Sequence, residues 1–126
     1  MIDTSKFIEG RWLEGGRDWP NIDCYGVVLY VREALGLPSW PRFDGVTKQD
    51  DGLHNSGLDF LQGSELCDPC EGAVACCYEA SLLRHVGIVV DTPVGLMVVE
   101  CNPGRHVSLS PVNRFIRRFV RVEFYK

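Results

Sequence analysis

A chain of 126 residues is long enough for one compact domain, taken here as residues 1–126, and leaves little for a second. Its 45% hydrophobic and 24% charged residues are those of an ordinary globular protein, and a net charge of -4 argues against nucleic acid as a partner. No apolar run approaches the roughly 20 residues of a membrane span. The opening MIDTSKFIEG also lacks the basic and apolar regions of a secretory signal, so no membrane insertion is expected and the chain is expected to be made and kept in a cytoplasm.

Residues 1–20, rich in Gly, Trp and charge, read as a loop-like lead-in with room for one short helix. Residues 24–35 place Cys24, Val27, Val28, Val31 and Leu35 at the i, i+3, i+4, i+7, i+11 spacing of a core-facing helix. Asp23 is its expected N-cap, Gly36 its stop, and Pro38 forbids continuation. Residues 37–70 are turn-rich, with a short helix expected near 53–62. The pattern then changes to short β-branched or aromatic runs at 73–79, 84–90, 95–101, 105–110 and 119–125, separated by turn residues. DTPVG joins two of them as a tight hairpin, and Ser110-Pro111 can start one helical turn. A helix followed by an antiparallel sheet makes the fold class α+β. The last sixteen residues carry Arg114, Arg117, Arg118, Arg121 and Lys126 against Glu123, which reads as a solvated basic edge or as a contact surface for an acidic partner.

Six cysteines, Cys24, Cys67, Cys70, Cys76, Cys77 and Cys101, are expected in a reducing compartment as thiols, nucleophile or metal ligands. Cys24 falls in the first turn of the helix. Unpaired N–H groups and the positive end of the macrodipole stabilise a thiolate there, so a depressed pKa and high reactivity are expected of this thiol. A nucleophile needs a base. His85 is the better candidate of three, because it opens a strand in which Gly87 permits close backbone approach, whereas His54 and His106 read as surface residues.

The ordered set RWLEGG (11–16), DCYGVV (23–28), PCEGAVACC (69–77), RHVGIVV (84–90) and MVVEC (97–101) resembles the NlpC-type peptidoglycan endopeptidases, papain-like cysteine peptidases of cell-wall turnover. The short versions carried in the tail modules of tailed bacteriophages are the most similar. The resemblance implies a papain-like domain, with the cysteine-bearing helix packed on an antiparallel sheet. It also implies Cys24 as nucleophile, His85 as general base and Glu100 as the orienting third residue. Trp12 stands where many members have an active-site tyrosine, and Tyr25 replaces a common serine or threonine. With Asp23 and Asn102 these two are the expected substrate-facing residues. The implied activity is hydrolysis of peptide bonds in the peptidoglycan stem without a cofactor. As a phage tail-tip component in the virion, among other tail-tip proteins, the chain would open the wall during genome delivery.

Parity supports Glu100 independently. If Asp91 and Leu96 close a four-residue loop, Gly87 lies opposite Glu100 and His85 opposite Asn102. Both polar residues then project on the histidine's face, with Asn102 the fallback. Two other readings stay open. One is a catalytically silent part of tail-tip assembly. The other is a metal or iron–sulfur module using Cys67 and Cys70, joined by at most one of Cys76 and Cys77, because neighbours in a strand point to opposite faces. Otherwise that pair straddles a sheet with one thiol in the core.

Overall fold

The computed structural model describes residues 2–126, apart from the side chain of Asp50. Asp23 starts the first long element. Its backbone is extended, and its Oδ1 accepts the N–H groups of Tyr25 and Gly26, two of the donors a helix leaves unpaired at its start. Helix α1 follows over Cys24–Ala34. Gly36 then turns the chain away at a φ of +73°, a conformation a side chain would resist. The buried stripe of α1 is Val27, Val28 and Val31, as its spacing predicts.

The lead-in holds its one short helix, a 3-10 turn over Thr4–Glu9, and also three strands: β1 (Arg11–Trp12), β2 (Arg17–Asp18) and β3 (Asn21–Ile22). They form a small sheet in the order β1-β3-β2. Two residues are too few to display a period, so these strands leave no sequence pattern. Helix α2 spans Gly52–Leu61 and buries Leu53 and Leu61.

The main sheet is built from β4 (Leu66–Cys67), β5 (Val74–Glu79), β6 (Leu82–Thr92), β7 (Gly95–Cys101), β8 (Val107–Pro111) and β9 (Arg121–Tyr125). Its order is β4-β9-β5-β6-β7-β8, every pair antiparallel, with the short helix α3 (Val112–Ile116) between β8 and β9. The α+β class expected from the sequence is the one observed. Strand β4 lies in the stretch read as turn-rich and is an addition to it. No helix among the described residues is long and apolar enough to cross a membrane.

Both faces of this sheet are covered. On one, Val74, Cys76, Val86, Ile88, Val90 and Val99 pack with Val27, Val28 and Val31 of α1. On the other, Ala75, Cys77, Val89 and Val98 pack with Val112 and Phe115 of α3. Period-2 alternation sends Cys76 to the first face and Cys77 to the second, as expected. Both are buried, not one, because α3 and its flanks close the second face. Ile88 is fully buried at the centre, between Val74 and Val99, and Ile88→Ala would cost about 2–5 kcal/mol.

Two irregularities shape the site. The β6–β7 hairpin is tighter than expected, since Thr92 pairs with Gly95 around Pro93 and Val94. Its register is nevertheless the expected one, with Asp91 opposite Leu96 and Ile88 opposite Val99. There the ladder stops, although β6 continues back to Leu82 and β7 on to Cys101. On the other side of β6, pairing shifts between Cys77–His85 and Tyr78–Leu83, leaving Arg84 as an extra residue. The bulge keeps Leu83 in the α1-side core while His85 shares the face of Cys77.

Candidate active site

His85 and Glu100 meet where β6 and β7 stop pairing. The imidazole Nε2 lies 2.9 Å from Glu100 Oε1, with both side chains almost wholly buried. Gly87 makes this possible. A Cβ there would stand 2.6 Å from Val98 Cγ1 and 3.7 Å from the Cβ of Glu100, so the carboxylate-bearing strand approaches as closely as the parity argument requires.

The tautomer follows from the partners. Lys48 Nζ sits 3.1 Å from Nδ1, and an ammonium can only donate, so Nδ1 accepts and Nε2–H donates to Glu100. The ring stacks on Phe119 at 5.9 Å between centroids, beside Phe115. Burial pushes the His85 pKa below its ordinary value. The Glu100 hydrogen bond pulls it up, but the charges of Lys48 and Arg118 add to the depression.

Glu100 is held by more than histidine. Asn102 Nδ2 donates to Oε1 at 3.0 Å, and Arg118 donates to both oxygens, 3.1 Å from Oε1. Burial alone would raise this carboxyl. The hydrogen bonds from His85, Arg118 and Asn102 hold it down at about 2, so it is ionised at neutral pH. Asn102 therefore touches the carboxylate, and it also lines an open cleft of about 750 Å³ with Arg105, His106, Ser108 and Arg118.

Cys24 lies at the start of α1, with the N–H of Val86, the residue after His85, donating toward its sulfur. Lys48 contacts His85 directly, and its charge also acts on Cys24. The expected low pKa is not found. Cys24 is 2% exposed, and burial pushes its thiol up to about 11 against the pull of Lys48. Desolvation outweighs the helix terminus here.

Asp23 and Tyr25 are corrections to the expected substrate-facing set. Asp23 is buried, caps α1 and accepts Arg17 Nη1 at 2.8 Å. Tyr25 is buried in the core, its hydroxyl donating to the Pro41 carbonyl at 2.6 Å. Trp12 is half-buried and remains at the site, its ring centroid 6.0 Å from Lys48 Nζ. His54 is engaged elsewhere, accepting the Leu83 N–H at 2.9 Å.

The cysteine-rich stretch does not assemble into a metal site. Cys67 and Cys70 are neighbours, but Cys76 and Cys77 face opposite ways. Among the described residues no three His, Cys, Asp or Glu side chains converge for a metal. Lys48 and Arg118 are the site residues that sequence reasoning missed. Arg118 belongs to the basic segment noted above, whereas nothing in the run TKQDDG distinguishes Lys48.

Comparison with family models, with curated proteins and with solved structures returns no match for this chain.

Proposed function

We propose that the chain is a cysteine hydrolase with a papain-like, NlpC-type fold, acting on peptide bonds of the peptidoglycan stem. The carrying observation is the buried 2.9 Å contact of His85 Nε2 with the Glu100 carboxylate, in a chain whose Cys24 starts a helix and accepts the N–H of Val86, the residue next to His85. Glu100 fixes the tautomer that leaves Nδ1 as proton acceptor, and stabilises the imidazolium once formed.

In the reaction Nδ1 takes the Cys24 proton and the sulfur adds to the peptide carbonyl. The imidazolium then protonates the leaving amine, giving a thioester. Water, deprotonated by His85, adds to the thioester, and expulsion of the thiolate releases the acid. The Cys24 backbone N–H at the start of α1 is the expected oxyanion donor. No metal enters. The substrate class and the role of a phage tail-tip protein in the virion, opening the wall beside other tail-tip proteins, rest on the sequence resemblance.

Incubation with muropeptides, with products identified by mass spectrometry, tests the reading. Cleavage that persists in EDTA and disappears in Cys24→Ala supports it; no cleavage, or cleavage retained in Cys24→Ala, overturns it. A second reading, a catalytically silent part of tail assembly, is favoured by the 2% exposure of Cys24. It predicts no products from any muropeptide.

A further inference from the structure

The mechanism needs a free lone pair on His85 Nδ1, and Lys48 occupies it at 3.1 Å. A histidine capped in this way cannot take a proton from Cys24. The surroundings of the ammonium suggest what removes it. Lys48 is half-buried between the Trp12 ring and the imidazole. Among the described side chains no carboxylate lies within ion-pair distance of it. A partly desolvated cation whose partners among the described side chains are a neutral ring nitrogen and an aromatic face is under-compensated by them, and an incoming anion gains by pairing with it.

Only the side chain has to move. Arg17 Nη2 holds the Val46 carbonyl at 2.9 Å, and the Leu53 N–H holds that of Thr47 at 2.9 Å. Beyond Lys48, Asp51 is paired with Arg84 at 2.9 Å. The backbone on both sides is thus pinned, while a four-carbon stem swings the ammonium.

We propose that Lys48 is a latch on His85, released by a free carboxylate on the substrate close to the scissile bond. The proposal rests on the hydrolase reading. In the free protein the latch keeps Nδ1 capped. A bound peptide with a carboxylate in reach draws the ammonium off the imidazole, so the same contact selects substrate and frees the base. A peptide with an amide at that position leaves the latch shut.

Two measurements separate this proposal from the reading it rests on. The first uses no substrate: the imidazole resonances of His85 are followed against pH by NMR in the parent, Lys48→Met and Lys48→Arg. The charged groups facing this ring are Lys48 ahead of α2, Glu100 on β7 and Arg118 after α3, with Cys77 at the paired position on β5. Only the first changes. The His85 midpoint is expected to rise in Lys48→Met, which keeps an apolar stem over Trp12, and to stay low in Lys48→Arg. An unchanged midpoint in Lys48→Met overturns the latch whether or not the protein hydrolyses anything. If Lys48→Met does not fold, Lys48→Gln takes its place.

The second measurement compares two synthetic stem peptides, identical except for a free carboxylate or a carboxamide on the residue next to the scissile bond. The parent is expected to favour the carboxylate by roughly 5- to 150-fold in kcat/KM, the usual span of a coupling between two contacts. Lys48→Met is expected to lose the preference chiefly by gaining on the carboxamide. Equal cleavage of both by the parent, or an equal loss on both in Lys48→Met, overturns carboxylate release. If neither peptide is cleaved but the midpoint rises in Lys48→Met, the hydrolase reading fails and the contact between Lys48 and His85 stands.

Discussion

Two buried carboxylates, Asp23 and Glu100, each face an arginine, and they are built for different ends. Asp23 is tied to the backbone: it accepts two N–H groups of α1, and its partner Arg17 spends its remaining donors on the carbonyls of Gly16, Arg42, Phe43 and Val46. Nothing there can leave without unpairing main chain. Glu100 is tied to side chains, namely His85, Asn102 and Arg118. One of these titrates, and Arg118 is nearly half exposed. The first arrangement joins the 37–48 segment to the start of α1. The second tunes an imidazole, and a carboxylate with movable partners is the one suited to chemistry.

The sharpest way to break this contrast is to neutralise each member in turn. Glu100→Gln keeps the shape but gives up the charge that stabilises an imidazolium. Turnover of muropeptides should fall roughly 100- to 10,000-fold with KM nearly unchanged. If Glu100→Gln turns over like the parent while Asn102→Ala does not, the amide is the orienting group and Glu100 is structural. Arg17→Met does the opposite. It strands Asp23 as an uncompensated buried charge and should cost about 3–5 kcal/mol in urea unfolding, leaving the His85 titration where it was. Arg118→Met is the intermediate case. Its exposed side is screened by water, so the stability loss should be only about 1 kcal/mol. Because the Arg118 charge depresses the His85 pKa, the His85 midpoint should nonetheless rise.

The register that joins His85 to Glu100 was legible because alternation and a short turn fix parity over many residues at once. A four-residue or a two-residue loop gives the same pairing, so the wrong loop length did no harm. The α1 stripe, its Asp23 cap and its Gly36 exit were legible for the same reason: each is a local rule repeated along the chain. The missed features all depend on what the fold brings together. Lys48 reaches His85 across 37 positions with no spacing to announce it. The burial of Cys24 and Tyr25 depends on how β6, β7 and the 40–43 segment close over the start of α1. A helix-start cysteine reads as activated until its desolvation is known.

Acid should reveal the second centre before any mutation does. Glu100 ionises at about 2 folded against 4.5 for a free carboxyl, and the His85 pKa lies below 6.5. In both, the unfolded state binds the proton first, so stability rises with pH across the interval. The His85 contribution is complete above pH 6.5 and is lost as pH falls below it. The Glu100 contribution is complete above about pH 4.5 and is lost as pH falls toward 2. Thermal unfolding from pH 7 to 3 should therefore decline in two stages. Glu100→Gln should lose the lower stage and Arg17→Met should keep both. A single step shared by every variant would remove the distinction between the two carboxylates.

The smallest expected effect is an ordering of thiols. Cys24 stands next to Asp23, the carboxylate tied to the backbone, and that charge raises its pKa further. Burial already pushes it to about 11, and does the same or more to Cys76, Cys77 and Cys101. Cys67 and Cys70 are only half-buried, beside α3 and β9. Limiting iodoacetamide near pH 7.5 should therefore modify Cys67 and Cys70 first in the free protein, with Cys24 trailing. The Cys24 rate should keep rising with pH into the alkaline range, because its thiolate fraction is still growing there. A Cys24 that reacts first, at a rate already flat above pH 6, would mean that the ion pair with His85 exists at rest. The helix terminus would then outweigh burial, and Lys48 could not be sitting on Nδ1.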